Sequence, residues 1–205
     1  MDNKSYLDQI AVKSKKSASH EPLLTPVMIK ILVAGAIALI TIIIVATIIS
    51  GTNAKLTQSY ERLYLRLTQM CGSKGPYSNY SKNISSPQLL SYANQLETSI
   101  TNTNNSLDGV WDKLNVDKNK LNKDVKTEET NAFSTYMSRL EEASISGQMD
   151  SYYSSQTANQ IMKLKTLERQ IIKKTNNKTL APILEQSVRD LDELYDLFQG
   201  FNDSL

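Results

Sequence analysis

The sequence predicts an all-α protein, with an N-terminal single transmembrane helix followed by an antiparallel bundle of four or five helices. The chain contains one long apolar run, and three later segments place apolar residues at alternating spacings of four and three. Outside the apolar run, no stretch shows the sustained alternation of a β-strand. We therefore divide the chain into a tail over residues 1–26, a transmembrane helix over 27–50 and a helical bundle over 51–205.

The apolar run is long enough to cross a bilayer. Residues 31–49 are nineteen consecutive uncharged residues in which only Thr41 and Thr47 are polar. As a helix they extend about 29 Å, close to the thickness of the hydrocarbon core. A secretory signal peptide has a shorter core of about 7–15 residues and a briefer start, so the run predicts an uncleaved signal anchor. Residues assigned to the bilayer include Ile31, Leu32, Leu39, Ile43 and Ile49.

Lysines before the apolar run predict its orientation. Lys13, Lys15, Lys16 and Lys30 lie on the N-terminal side, and this bias favours a cytoplasmic N-terminus. The tail is too short to bury a core, so we expect it to be disordered, and we expect residues 51–205 outside the cytoplasm. The inverted topology stays open as the alternative. The tail lysines also suit contact with anionic lipid headgroups, although setting topology is the simpler interpretation.

The charge balance of the bundle argues against nucleic acid as a partner. Of the 23 basic and 21 acidic residues, five and three lie among the first thirty, which leaves 18 of each beyond them. A domain that binds nucleic acid normally presents an excess of positive charge. We therefore expect the lipid bilayer and either a protein partner or a second copy of the chain as partners.

Apolar residues recur at helical spacing in five segments of the bundle. Three segments carry a regular stripe, as in a helical bundle or coiled coil. The stripes are Leu56, Tyr60, Leu63, Leu67 and Met70; Leu89, Ala93, Leu96, Ile100, Thr103, Leu107, Val110 and Leu114; and Leu180, Leu184, Ser187, Leu191, Leu194, Phe198 and Phe201. Two less regular segments hold Ala132, Phe133, Tyr136, Met137, Leu140 and Ala143, and Tyr153, Thr157, Ile161, Leu164, Leu167, Ile171 and Ile172.

Turn-forming residues separate these segments. Residues 71–87 contain two glycines and two prolines and predict a long loop, which ends in the capping-box pattern Ser85-Ser86-Pro87-Gln88, with the proline in the first helical turn. Gly147 marks a second turn, and residues 174–179 a third, with Thr179 as the expected helix cap. The stripe loses register between residues 115 and 129, where we expect a break or a kink. The sequence is compatible with either a loop or a helix over these residues.

The residues needed for most catalytic and metal sites are missing from the bundle sequence. His20 is the only histidine and lies in the tail, so Cys71 has no histidine partner for nucleophilic catalysis or zinc binding. Residues 117–128 resemble a calcium-binding loop at three positions, but Leu121 stands where an oxygen ligand is needed. No glycine-rich phosphate loop is present. We therefore predict no catalytic site, no metal and no cofactor.

Three residues of the first loop are candidate contacts for a partner. Tyr77 and Tyr80 offer large contact areas at small entropic cost, or they pack on the end of the core. Cys71 pairs with a second chain or is a buried, unreactive thiol. Trp111 lies beside a stripe position, which favours packing at the edge of the core.

These features predict a membrane-anchored helical bundle with a structural or protein-interaction role at the cell surface. The alternative is an extracytoplasmic bundle that senses a small ligand and signals through a partner membrane protein. Such bundles resemble the sensory domains of bacterial receptors in architecture, but those receptors carry a second span and a cytoplasmic signalling domain. A bound small molecule would favour the alternative, and a stable protein partner the first interpretation.

Overall fold

The computed structural model describes residues 54–204, which contain helices and no strands, and this confirms the predicted all-α class for this part of the chain. No helix there is both long and apolar enough to span a bilayer. The predicted tail and transmembrane helix lie outside the described residues. That applies to the bilayer residues Ile31, Leu32, Leu39, Ile43 and Ile49 and to the topology-setting residues Lys13, Lys15, Lys16 and Lys30.

Six helices follow one another among the described residues. Helix α1 covers residues 54–70, and short 3-10 turns at Ser81–Asn83 and Asp112–Leu114 lie in two of the later connections. The remaining helices are α2 (Pro76–Tyr80), α3 (Pro87–Leu107), α4 (Lys123–Ser146), α5 (Met149–Ile172) and α6 (Leu180–Asn202). Helix α6 packs along α5 and α3, and α4 packs along α5.

The short helix α2 is an element that the sequence-based count did not include. Residues 71–87 were predicted to form a loop, but Pro76 starts a five-residue helix at a position where its missing N–H costs nothing. Gly75 precedes it in a tight space, since a Cβ atom there would lie 2.6 Å from the carbonyl oxygen of Met70. The segment is therefore folded back onto the end of α1.

The predicted apolar stripes form the core. Their buried members include the polar residues Thr103 and Ser187, which confirms the spacing even where the residue type is unusual. The largest fully buried side chains of these stripes are Leu63, Leu67, Leu89, Ile100, Leu107, Leu180 and Phe198. Trp111 is also fully buried, so it belongs to the core and not to its edge.

Helix α1 is buried on more than its predicted stripe. No residue from Tyr60 to Met70 is exposed, and Leu65, which lies off the stripe, is buried as well. The reason is that α1 has neighbours on several sides. Tyr64 packs edge-to-face on Trp111 with ring centroids 5.6 Å apart, while Arg66 reaches both α4 and α5.

The ambiguous segment over residues 115–129 is part loop and part helix. Helix α3 ends at Leu107 instead of continuing to Leu114, and Asn115 adopts a left-handed conformation with φ of 57°. The following loop ends at Asn122, whose side-chain oxygen accepts hydrogen bonds from the N–H groups of Asp124 and Val125 and so caps α4. The predicted break is confirmed.

The predicted turns at Gly147 and at residues 174–179 are both present, whereas the caps of α3 and α6 differ from the prediction. In the predicted capping box, Ser86 accepts a hydrogen bond from the N–H of Leu89, but Gln88 donates to Tyr92 and does not close the box. Gly147 ends α4 with φ of 73°. Thr179 does not cap α6 with its side chain. Asn177 does so, because its side-chain oxygen accepts from the N–H groups of both Thr179 and Leu180.

Side-chain contacts define two ends of the bundle. At the near end, where α1 starts, the Tyr60 hydroxyl donates to Thr175 Oγ1 at 3.0 Å, and the Asn122 N–H donates to Glu61 Oε1 at 3.2 Å. The near end therefore comprises residues 54–58, 108–126 and 172–181. At the far end, Asn83 Nδ2 donates to Ser144 Oγ at 2.7 Å. Ser154 Oγ, near the start of α5, donates to the carbonyl oxygen of Phe198 at 2.9 Å, which brings the end of α6 to the same end. The far end therefore comprises residues 71–91, 141–151 and 196–204.

Candidate functional site

A cluster of two arginines and two glutamates joins α1 to α4. Glu129 is buried, and its two carboxylate oxygens accept hydrogen bonds from Arg62 Nη1 at 2.8 Å, Arg66 Nη2 at 3.0 Å and Arg66 Nε at 2.8 Å. Arg62 also binds the exposed Glu128, and this hydrogen bond lowers the pKa of that carboxyl group. The buried charge of Glu129 is thus compensated by direct partners.

A small cleft opens beside this cluster, between α1, α4 and α5. Its volume is about 210 Å³, below the range of about 300–1,000 Å³ typical of small-molecule sites. One side is apolar, with Met70, Phe133 and Leu164. The polar lining comprises Arg66, Gln69, Glu128, Glu129, Gln160 and Lys163. Arg66 is already engaged by Glu129 and by the carbonyl oxygen of Lys163, whereas the exposed ammonium group of Lys163 forms no ion pair among the described residues.

The predicted partner contacts Cys71, Tyr77 and Tyr80 lie at the far end, and all three are half-buried against the core. The Tyr80 hydroxyl donates to the carbonyl oxygen of Met137 at 3.1 Å, which fixes α2 on α4. Burial, assisted by the nearby charge of Glu97, raises the pKa of the Cys71 thiol, so the protonated form is favoured. Their role in binding a partner stays a prediction.

An exposed apolar residue at the same end was not singled out from the sequence. Ile145 is 83% exposed in the last turn of α4. Its neighbour Ser144 accepts the hydrogen bond from Asn83, so the segment after α2 lies beside it. The sequence does contain a signal for this exposure, since Ile145 falls off the buried α4 face that includes Tyr136, Leu140 and Ala143.

A buried carboxyl group between α5 and α6 was also missed. Glu168 is fully buried, and its Oε1 accepts a hydrogen bond from Ser187 Oγ at 2.9 Å. Its Oε2 has no hydrogen-bond partner among the described residues. Burial raises the pKa of Glu168 to about 8, so the group is mostly protonated at neutral pH. Its position one turn after Leu164 and one turn before Ile171 was the available sequence signal.

Within residues 54–204, no three histidine, cysteine, aspartate or glutamate side chains are grouped so that they could hold a metal ion. The calcium-like stretch over residues 117–128 is not one loop, because α4 begins at Lys123. Asp117 accepts a hydrogen bond from the N–H of Asn119 at 2.9 Å, and Glu128 binds Arg62.

Comparison of the chain with family models, with curated proteins and with solved structures finds no match. The functional interpretation therefore depends on the residues and contacts described above.

Proposed function

We propose that this chain is a single-pass membrane-anchored helical-bundle protein with a structural or protein-interaction role at the cell surface. The observation that carries the proposal is the uncharged run over residues 31–49, which residues 51–53 connect to the first described residue of α1. The tail is cytoplasmic and the bundle is outside, as the tail lysines favour. The protein acts by binding and not by catalysis, and it requires neither a cofactor nor nucleic acid.

The far end is the surface that best suits a protein partner. Chain direction places it at the end opposite to the start of α1, and Ile145 offers an apolar side chain there that the bundle leaves in solvent. The backbone around it is well supported, because Tyr80 ties α2 to α4 and the carboxylate of Asp150 accepts the N–H groups of Ser85 and Ser86 at 2.8 Å. Binding of a partner at this end would therefore cost little conformational entropy, because the backbone there is already held in place.

In-cell photocrosslinking followed by mass spectrometry tests this surface. A photoreactive residue at position 145 is compared with one at position 162, because Met162 is also an exposed apolar residue, at 43%, but lies on α5. We expect the photoreactive residue at position 145 to capture a distinct membrane or surface protein, or a second copy of this chain. In a separate experiment with a crosslinker that reacts with lysines, Ile145→Asp should reduce the capture of the same protein. Equal capture from positions 145 and 162 would contradict the assignment of the far end.

The small-ligand sensor is kept as a second candidate because of the cleft between α1, α4 and α5. An amphipathic molecule of a few heavy atoms would place its apolar side on Phe133 and Leu164 and its polar end near Gln69 and Gln160. Native mass spectrometry of the purified protein tests for such a molecule. A bound small molecule that Gln160→Leu removes would favour the sensor over the protein-binding role.

A further inference from the structure

The balanced charge of the bundle conceals a strong asymmetry between its two ends. The near end carries nine lysines, all exposed, and four aspartates. The lysines are Lys55, Lys113, Lys118, Lys120, Lys123, Lys126, Lys173, Lys174 and Lys178, and the aspartates are Asp108, Asp112, Asp117 and Asp124. The far end reverses the sign, with Lys74 and Lys82 against Glu141, Glu142, Asp150, Asp196 and Asp203.

The fold creates this basic end from three segments that are distant in sequence. Contacts made by α1 bring them together, since Tyr60 bonds Thr175 in the α5–α6 turn and Glu61 accepts the N–H of Asn122 in the α3–α4 loop. Of the nine lysines, only Lys118 forms an ion pair among the described residues, with Asp108. Lys120 and Lys174 are exposed and leave their charges to solvent.

The basic end is also the end at which the described residues begin, a few positions after the predicted anchor in the sequence. Only residues 51–53 separate the predicted transmembrane helix from the first described residue of α1. Four peptide steps extend at most about 14 Å, so the start of α1 must stay close to the end of the span. This step depends on the anchor in the proposed function, and docking further requires that the leaflet on the side of the bundle carries anionic lipid.

We propose that the near end docks onto anionic phosphate-bearing lipid headgroups of the bilayer that holds the anchor. Lysines attract an anionic leaflet within about one Debye length, roughly 8–10 Å at physiological salt. The lysines of residues 108–126 and 172–181 share the end of the bundle at which α1 begins, so they are the basic residues that such a leaflet would attract. Docking orients the bundle on the membrane and presents the far end, including Ile145, to a partner.

The test is hydrogen–deuterium exchange on the full chain in nanodiscs of phosphatidylcholine alone and of phosphatidylcholine mixed with phosphatidylglycerol. We expect slower exchange of backbone amides in residues 108–122 and 173–179 only with the anionic lipid, and unchanged exchange in residues 71–86. Salt at about 1 M shortens the Debye length to about 3 Å and should abolish the difference.

Matched charge variants separate docking from a general effect of net charge. Each lysine near an anionic surface contributes about fivefold to the docking equilibrium, so Lys120→Gln with Lys174→Gln should weaken docking about 25-fold. Lys74→Gln with Lys82→Gln removes the same charge from the far end. This double variant should leave the slower amide exchange of residues 108–122 and 173–179 unchanged.

The possible results distinguish this proposal from the one on which it depends. A full chain that is recovered free of lipid would refute both the anchor and the docking. A chain that inserts but exchanges at the same rate in the two lipids would refute the docking alone. Equal loss of protection in the two double variants would also refute it, because the near end would then have no special role.

Discussion

Glu168→Gln should stabilise the bundle at neutral pH, although it replaces a carboxyl group that accepts a hydrogen bond from Ser187. In the folded chain this carboxyl group is fully buried between α5 and α6, with Ser187 as its hydrogen-bond donor. The pKa of Glu168 rises from 4.5 to about 8 on burial. The folded state therefore holds a proton that the unfolded chain releases in the same pH range.

The sign of the effect follows from this raised pKa. The stability contributed by protonated Glu168 is fully present below pH 4.5 and is lost as the pH rises from 4.5 towards 8. At about 1.36 kcal/mol for each pKa unit, the loss between pH 4.5 and pH 7 is about 3 kcal/mol. That is a large part of the roughly 5–15 kcal/mol by which domains are usually stable. Glutamine keeps the shape and the oxygen that accepts from Ser187 but cannot ionise, so it avoids the loss.

The assay is urea unfolding of the fragment 52–205 at several pH values between 4 and 9, with circular dichroism as the signal that monitors unfolding. We expect Glu168→Gln to match the wild type near pH 4 and to exceed its free energy of unfolding by about 3 kcal/mol at pH 7. Glu193→Gln is the matched control, because Glu193 is an exposed glutamate on α6. If the free energies of unfolding of Glu168→Gln and the wild type change with pH in the same way across this range, Glu168 does not titrate with a raised pKa and the reasoning is wrong.

Four further predictions address the fold and the topology. The fragment 52–205 should be soluble and strongly helical by circular dichroism, and a β-rich spectrum would contradict the fold. Protease added to intact cells should digest the bundle, whereas protection would reverse the orientation. Leu96→Asp, which puts an unpaired charge at a site only 3% exposed, should cost at least about 3 kcal/mol in urea unfolding, and Leu197→Asp on the surface should cost far less. Gly75→Ala should lower the melting temperature through its clash with Met70, while Gly109→Ala, with open space around it, should not.

Local signals in the sequence were sufficient for most of the helical pattern. Regular spacing placed even Thr103 and Ser187 in the core, because a helix repeats every 3.6 residues regardless of which side chain occupies a position. Gly147 ended α4 as predicted, and α3 began within the predicted capping pattern, although Ser86 alone supplies the cap, since capping and left-handed turns depend on a few neighbouring residues. Helix α2 and the cap at Asn177 were missed where several small polar residues offered competing choices within the same few positions.

Properties that depend on which helices are neighbours were decided only by the tertiary structure. Leu65 lies off the predicted stripe of α1 and is nevertheless buried, because α1 has neighbours on more than one side. Glu129 lies at helical spacing on the buried face of α4, but only the packing of α1 supplies the two arginines that pair with it. The neutrality of the bundle was visible in its composition, but the convergence of lysines at the near end depends on the contacts that Tyr60 and Glu61 make with distant loops. Periodicity along one helix determines which face is apolar, and the packing of several helices determines what each polar residue meets there.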